Sequence, residues 1–401
     1  MGITLTGKAK TNGDSLRLAA VGLEAELSLF VDDRAEEPEK IFRTPRAFIR
    51  GPLQHRIGTS FQLPTGAAVY FDTGVIEIAT PVIELERGCI ARAGRLLWES
   101  IAFIRGELDA WEHRTGHFVR LAGFSTHYNV SIDAAGRHPA RLDALAKLLT
   151  YILPPPAMLL AANRQSNGIG VRPRGDRIEV TADFTPNPTL MIAAGSLITG
   201  IVRDVTLWPS LQVASLGRKS IPRIHGFAPM PHTSRKGWLA RFDRFPANPM
   251  SNDPNAPMWR LSGRAGQASL RAISMEIFNY FRRSIARIAD PLSLRVIRAV
   301  LAGREPSLLD LPERPCEYQN VGRLCAWRPA HAELAPERSR LEQVVLHALA
   351  GDRLWIDGAY YTPTGMQGWS RIVFRRESDR KRITFAVDDL LDHLASWRPR
   401  V

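Results

Sequence analysis

The sequence predicts an α+β fold in two parts, residues 1–315 and 316–401. Three observations lead there. Alternating apolar and polar residues recur at 18–30, 67–81, 123–132 and 177–181, the pattern of strands with one buried face. Between them lie segments with three- and four-residue apolar spacing, the longest from Glu86 to His113 with Ile90, Leu97, Ile101, Ile104, Leu108 and Trp111. Finally, Pro306–Pro315 reads as a linker, followed by a shorter set of elements. These are a helix at 335–350, strands near 354–361, 371–374 and 383–387, and a helix at 388–397.

Taken in order, residues 1–16 are polar and read as a loosely held tail. The strand 18–30 carries Glu24 and Glu26 two residues apart, so both carboxylates share a face. Residues 32–65, rich in charge, Pro and Gly, read as loop. Ala67–Pro81 is a strand pair or one bent strand, bearing Asp72 and Glu77 with Gly74 between them to permit a bulge. The helix 86–113 is scaffold. His113 and His117 lie four apart near its end, but Gly116 intervenes and no carboxylate completes a site, so they read as a surface pair. In Gly123–Ile132, Ser125, His127, Asn129 and Ser131 share one face.

One or two helices over 138–162 are interrupted at Pro154-Pro155-Pro156. Asn163-Arg164-Gln165-Ser166 follows, and Gly168–Arg174 reads as a flexible loop whose Arg172 and Arg174 either bring further guanidinium groups to phosphate or are simply solvated. The strand from Arg177 places Ile178 and Val180 on one side and Arg177, Glu179 and Thr181 on the other. It turns at Thr185-Pro186-Asn187-Pro188 into an uncharged, small-residue helix over Thr189–Ile201, which must be buried. Lys219–Pro257 is irregular and suited to a site mouth, and helices are expected at 266–288 and 292–301.

A formal net charge of +13 favours anionic partners. The basic residues are mostly arginine and spread along the chain, with no dense tract of interleaved aromatics, which argues against a nucleic-acid groove. No apolar run reaches membrane-spanning length, and the N-terminus lacks a secretory pattern. Cys89, Cys316 and Cys325 show no metal-ligand spacing, so a reduced, cytoplasmic setting is expected.

If the strands share one sheet, Glu24, Glu26, Glu77, His127 and Glu179 converge, with Asp72 beside them, and their repulsion calls for cations. Carboxylates with a single imidazole suit Mg²⁺ or Mn²⁺. Arginines placed beside such ions, Arg164 and Arg177 foremost, describe a nucleoside-triphosphate site. No Walker loop or dinucleotide glycine fingerprint competes for the nucleotide.

Four segments, in order over residues 22–201, resemble the glutamine synthetase superfamily of carboxylate–amine ligases, which includes the glutamate–cysteine ligases. Arg177-Ile178-Glu179 through Asp183 to Asn187-Pro188 resembles that family's arginine–glutamate strand and buried helix. Gly22-x-Glu24-x-Glu26 resembles its opening strand, and Gly123–Ser131 its histidine strand, with Asn129 in place of a nucleotide-contacting histidine. Tyr70, Asp72, Glu77, Thr80 and Pro81 look most like the Pup ligase and depupylase branch. Asn163-Arg164-Gln165-Ser166 is similar to the segment that supplies a phosphate-facing arginine. Thr181 stands where the family has a second arginine, which leaves the substrates open.

The resemblance implies an antiparallel, bowl-shaped sheet flanked by helices. It implies metal ligands at Glu24, Glu26, Glu77, His127 and Glu179, nucleotide contacts at Asn129, Ser131, Arg164 and Arg177, and catalysis by Asp72 and Arg177. The implied activity is ATP- and Mg²⁺-dependent (or Mn²⁺-dependent) amide or isopeptide formation through an acyl phosphate, with a protein or peptide as one candidate acceptor. The same site could serve a depupylase-like amidase or a phosphotransferase.

Overall fold

The structure, a computed structural model, describes residues 19–55, 59–133, 137–231, 237–242, 252–327 and 337–400. The expected tail 1–16, and the parts of the irregular stretch at 232–236 and 243–251, lie outside the described residues.

The large sheet contains β1 (Ala20–Val31), β2 (Arg34–Glu36), β3 (Gln54–His55), β4 (Phe61–Gln62), β5 (Ala68–Asp72), β6 (Val75–Ala79) and β7 (Ile83–Glu84). It continues with β8 (Val119–Ser131), β9 (Gly170–Arg174), β10 (Arg177–Asp183), β11 (Phe227–Pro231) and β12 (Trp238–Phe242). Its main path runs β11-β12-β9-β10-β8-β1-β6-β5-β4-β3, and β2 and β7 pair with the two ends of β1. Every pairing in it is antiparallel.

β1 shows how sequence sets the two faces. Val21, Leu23, Ala25, Leu27 and Leu29 are buried against the helices, while Glu24 and Glu26 point the other way. On the apolar face lie α2 (Cys89–Thr115), α3 (Pro139–Ile152), α4 (Pro154–Ala161) and α5 (Pro188–Thr206), after a short α1 (Pro38–Phe42). α2 packs on β1, α3 on β9, α4 on β10 and α5 on β8. α6 (Ala214–Arg218) and a ribbon of β13 (Trp259–Arg260) and β14 (Gln267–Ala268) precede α7 (Leu270–Ile288) and α8 (Pro291–Leu301), which back α5. α3 and α4 meet at a 66° bend, because the three prolines lack the N–H groups that would continue α3.

α5 starts where the Asn187 side chain accepts from the Thr189 and Leu190 amides, with Pro188 in the first turn. It is long and apolar enough to cross a membrane, but 83% of its apolar window is buried inside the protein. Two close approaches set its place. A Cβ at Gly195 would stand 2.8 Å from Ile90 Cγ2, and one at Gly200 would stand 2.6 Å from the Ile285 Cα of α7. Backbone cannot yield as a side chain can, so Gly200→Ala is expected to cost about 1–3 kcal/mol of overpacking. A thermal melt checks this, and an unchanged Tm would contradict the α5–α7 packing.

The second unit holds α9 (Arg340–Ala350) and a five-stranded sheet of β15 (Arg353–Ile356), β16 (Ala359–Gln367), β17 (Arg371–Arg376), β18 (Arg382–Ala386) and β19 (Trp397–Arg398), in the order β18-β17-β16-β15-β19. Its core, from Leu341 to Trp397, is separate from the main one. The expected division at residue 316 is drawn differently by the two cores, since Tyr318, Val321 and Cys325 still pack in the large one. The two units are joined by a buried ion pair, Arg95–Glu342 at 2.7 Å. Glu84 also accepts from the Arg340 and Leu341 amides at the start of α9, at 2.6 and 3.2 Å.

Four local expectations are corrected. Gly74 does not make a bulge: Thr73 and Gly74 form a two-residue turn between β5 and β6, with φ of 53° and 90°. Gly168–Arg174 is mostly strand β9, because Val171 is buried in the core and Arg172 finds a buried acidic partner. The segment 388–396 is a 3₁₀ helix with Leu390 and Leu391 both buried. His117 does have a carboxylate neighbour, Asp32 at 2.7 Å, which the sequence spacing hid.

Candidate active site

Strand register assembles the polar face. Glu24 lies opposite His127, and Glu26 lies opposite Glu77 on one side and Ser125 on the other. Across the next pairing, Thr181 faces His127, Glu179 faces Asn129 and Arg177 faces Ser131. Tyr70 faces Glu77 from β5. Directly paired residues project from the same face, so the metal-type side chains expected from sequence converge there. An extra residue in β8, the exposed Phe124, makes a bulge after Glu26.

The geometry is close. His127 Nδ1 lies 3.1 Å from Glu24 Oε2, and its Nε2 lies 3.6 Å from Glu26 Oε1. The Ser125 hydroxyl donates to Glu26 at 2.5 Å, and the Tyr70 hydroxyl donates to Glu77 at 2.6 Å. Glu26, Glu77, His127 and Glu179 are 2–6% exposed. Two groups, Glu24–His127–Glu179 and Glu26–Glu77–His127, each hold candidate ligand atoms within 4.8 Å of one another. A neutral imidazole offers one lone pair, so His127 would complete one group at a time.

Electrostatics marks the same place. Burial, with the Glu24 charge beside it, pushes Glu77 up to about 8. Burial works against the charge on Glu24 as well, but His127 and Arg177 win and hold that carboxyl below its ordinary value. For His127 burial opposes the proton, yet Glu24, Glu26 and Glu179 together raise its pKa. Four carboxylates, three of them buried, around one imidazole fit a Mg²⁺ or Mn²⁺ ion, which would relieve the repulsion felt by Glu77.

Arg172 is buried and Arg174 is half-buried, and neither stands free in solvent. Both pair with Glu179, Arg172 at 2.9 Å and Arg174 through two bonds of 2.8 and 2.9 Å. Arg177 donates to Asn129 Oδ1 at 2.8 Å. Beside them opens a cavity of about 910 Å³, whose lining includes Glu24, Asn129, Ser131 and Arg177. The Ser131 hydroxyl there accepts from the Ala20 amide at 2.7 Å.

Asp72 lies at the other end. It ends β5 opposite Val75, which itself pairs with Ser28, beyond Glu26 from the cavity. Its Oδ1 accepts from the Thr73 hydroxyl at 2.8 Å. Arg164 is not brought beside Arg177. It follows Asn163, whose amide and side chain donate to Asp183 at the far end of β10, and its Nε donates to the Leu309 carbonyl at 3.0 Å. Burial pushes Asp183 to about 6, although Asn163 and Ser166 donate to it.

Sequence reasoning missed two kinds of residue. Arg137, Trp369 and Ser370 line the cavity but come from segments without a motif. Arg172 and Arg174 were set aside because only the β9–β10 pairing brings them to Glu179.

No family model matches the chain, and no curated protein matches it. Among solved structures, the chain is similar to one in the crystal structure of the complex between the prokaryotic ubiquitin-like protein Pup and its ligase PafA. That similarity covers 95% of this chain and 93% of the other, with 12% identity and a TM-score of 0.53. Likeness at that identity concerns the backbone. The chain shares the fold of that Pup ligase.

Proposed function

We propose that the protein is an ATP- and Mg²⁺-dependent (or Mn²⁺-dependent) ligase that joins a carboxylate to an amine as an amide or isopeptide. One observation carries this reading: along a single sheet face, a nucleotide-sized cavity, five metal-type ligands and Asp72 follow one another in that order. The neighbour that shares the fold is a ligase in complex with a small protein, which favours a protein or peptide substrate here too.

In the first step a substrate carboxylate oxygen attacks the γ-phosphorus of ATP. The β–γ bridging P–O bond breaks, giving an acyl phosphate and ADP. Arg177, held by Asn129, pairs with phosphate oxygens, because its planar fork matches them; Arg164 would serve from the opposite end. Glu24, Glu26, Glu77, His127 and Glu179 would hold the divalent cation, which when bound supplies charge neutralisation for phosphoryl transfer. In the second step the amine nitrogen attacks the acyl carbon, the C–O bond to phosphate breaks, and Asp72 accepts the amine proton. The products are the amide and inorganic phosphate.

Assaying ADP release against panels of carboxylates and amines tests this. Sustained ADP release, beyond a single turnover, only with Mg²⁺ and both substrates is expected. Amide hydrolysis without net ADP would instead assign an amidase, and a stable phosphorylated product formed without amine would assign a phosphotransferase.

The Glu77 carboxyl adds a pH signature. A proton and a cation compete for it, so metal affinity should rise with pH up to about 8 and level off above. In the metal-free protein the folded state holds more protons than the unfolded between the ordinary 4.5 and about 8, so its stability falls across that window. Thermal melts should therefore show a larger Tm gain from Mg²⁺ at the alkaline end of the window than at the acid end. An equal gain throughout would contradict Glu77 as a ligand.

A further inference from the structure

The cavity beside Arg177 is not built by the large unit alone. Its lining includes the polar groups of Glu24, Asn129, Arg137 and Arg177 and the apolar side chains of Val21, Val82 and Trp369. Trp369 belongs to the second unit, in the turn between β16 and β17. That turn is held in place. Gly368 sits at φ 60°, Ser370 is 3% exposed, and the Ser370 carbonyl accepts from the Val387 amide at 2.7 Å. The unit itself is tied to the large one by Arg95–Glu342 and by Glu84 at the start of α9. An indole carried on a held turn, lining the same cavity as guanidinium and amide groups, fits a ligand that is flat and apolar in one part and anionic in another.

From this we infer that Trp369 is the face on which the nucleobase stacks, so that the small C-terminal unit completes the nucleotide pocket. The inference rests on the nucleotide reading above and assigns the second unit a task within it. The phosphates lie toward Arg177 and the base lies toward Trp369. Stacking on an aromatic ring is tolerant of base identity, so Trp369 contributes affinity, and other groups set any preference among bases.

Calorimetric titrations with Mg·ATP and with Mg·tripolyphosphate separate the two readings. Trp369→Ala is expected to weaken ATP binding roughly 10-fold or more and to leave tripolyphosphate binding as in the wild type. Trp369→Phe, which keeps a stacking face, should bind ATP within about threefold of the wild type and also checks that loss of the indole does not unseat the unit. Two results overturn the stacking role while leaving the nucleotide reading intact: Trp369→Ala binding ATP as well as the wild type does, or losing ATP and tripolyphosphate equally. A wild-type protein that binds neither ligand overturns both.

Discussion

Glu24→Gln is expected to reduce Mg²⁺-dependent ATP binding by more than about 100-fold, since losing a direct ligand should exceed the 10–100-fold typical of outer-shell partners. Glu24 touches His127 at 3.1 Å and borders the cavity, so it joins the metal-type cluster to the nucleotide pocket. The amide keeps the shape and removes the charge. Glu179→Gln should lose binding to a similar degree, but Glu179 also neutralises Arg172, which is 6% exposed, and Arg174. Removing one partner of a buried pair costs about 3–5 kcal/mol, so that variant should also melt earlier. Glu24→Gln also gives up its pairing with His127, but Glu24 is less buried than Glu179, so this variant should melt closer to the wild type, and the difference separates loss of a ligand from loss of a fold. Calorimetry on the pair checks this. Undiminished Mg²⁺-dependent ATP binding by Glu24→Gln would contradict the placement of the cation.

Asp72→Asn should act on chemistry and not on binding. Asp72 is half-buried at the β5–β6 turn, two pairings from Glu26, and its bond from Thr73 survives as an amide. Replacing a positioned base typically lowers a rate by about 10²–10⁴-fold. Amide formation should fall in that range while Mg·ATP affinity stays as in the wild type and ADP still forms in a first turnover. Full amide-forming activity in Asp72→Asn would move the base elsewhere, with Asp183 at the same end of the sheet the next group to replace.

The polar face was legible because the residues on it obey local rules. Glu24 and Glu26, Tyr70 and Asp72, His127 and Asn129, and Arg177 and Glu179 each stand two apart within one strand, so alternation alone places each pair on a face. The ordered motifs then suggested that the strands share one sheet. What alternation cannot give is register between distant strands. Arg172 and Arg174 read as loop residues because the β9–β10 register, which puts them on Glu179, is invisible until β9 is known to be a strand. Arg164 matched a phosphate-binding segment, yet its neighbours Asn163 and Ser166 are engaged with Asp183, at the far end of β10. Trp369 reaches the cavity only through packing between two units with separate cores. The division at 316 followed the run of prolines, whereas Tyr318 and Val321 remain in the large core because their side chains are fully buried there.

The central claim is that this cluster holds the cation that nucleotide binding needs. Its most direct test is a crystal grown with Mn²⁺ and a non-hydrolysable ATP analogue, with Mn²⁺ located by anomalous scattering. The account predicts metal peaks among Glu24, His127 and Glu179 or among Glu26, Glu77 and His127, phosphates toward Arg177 and the base against Trp369. Mn²⁺ absent from those five side chains, or a nucleotide seated elsewhere on the chain, would contradict it.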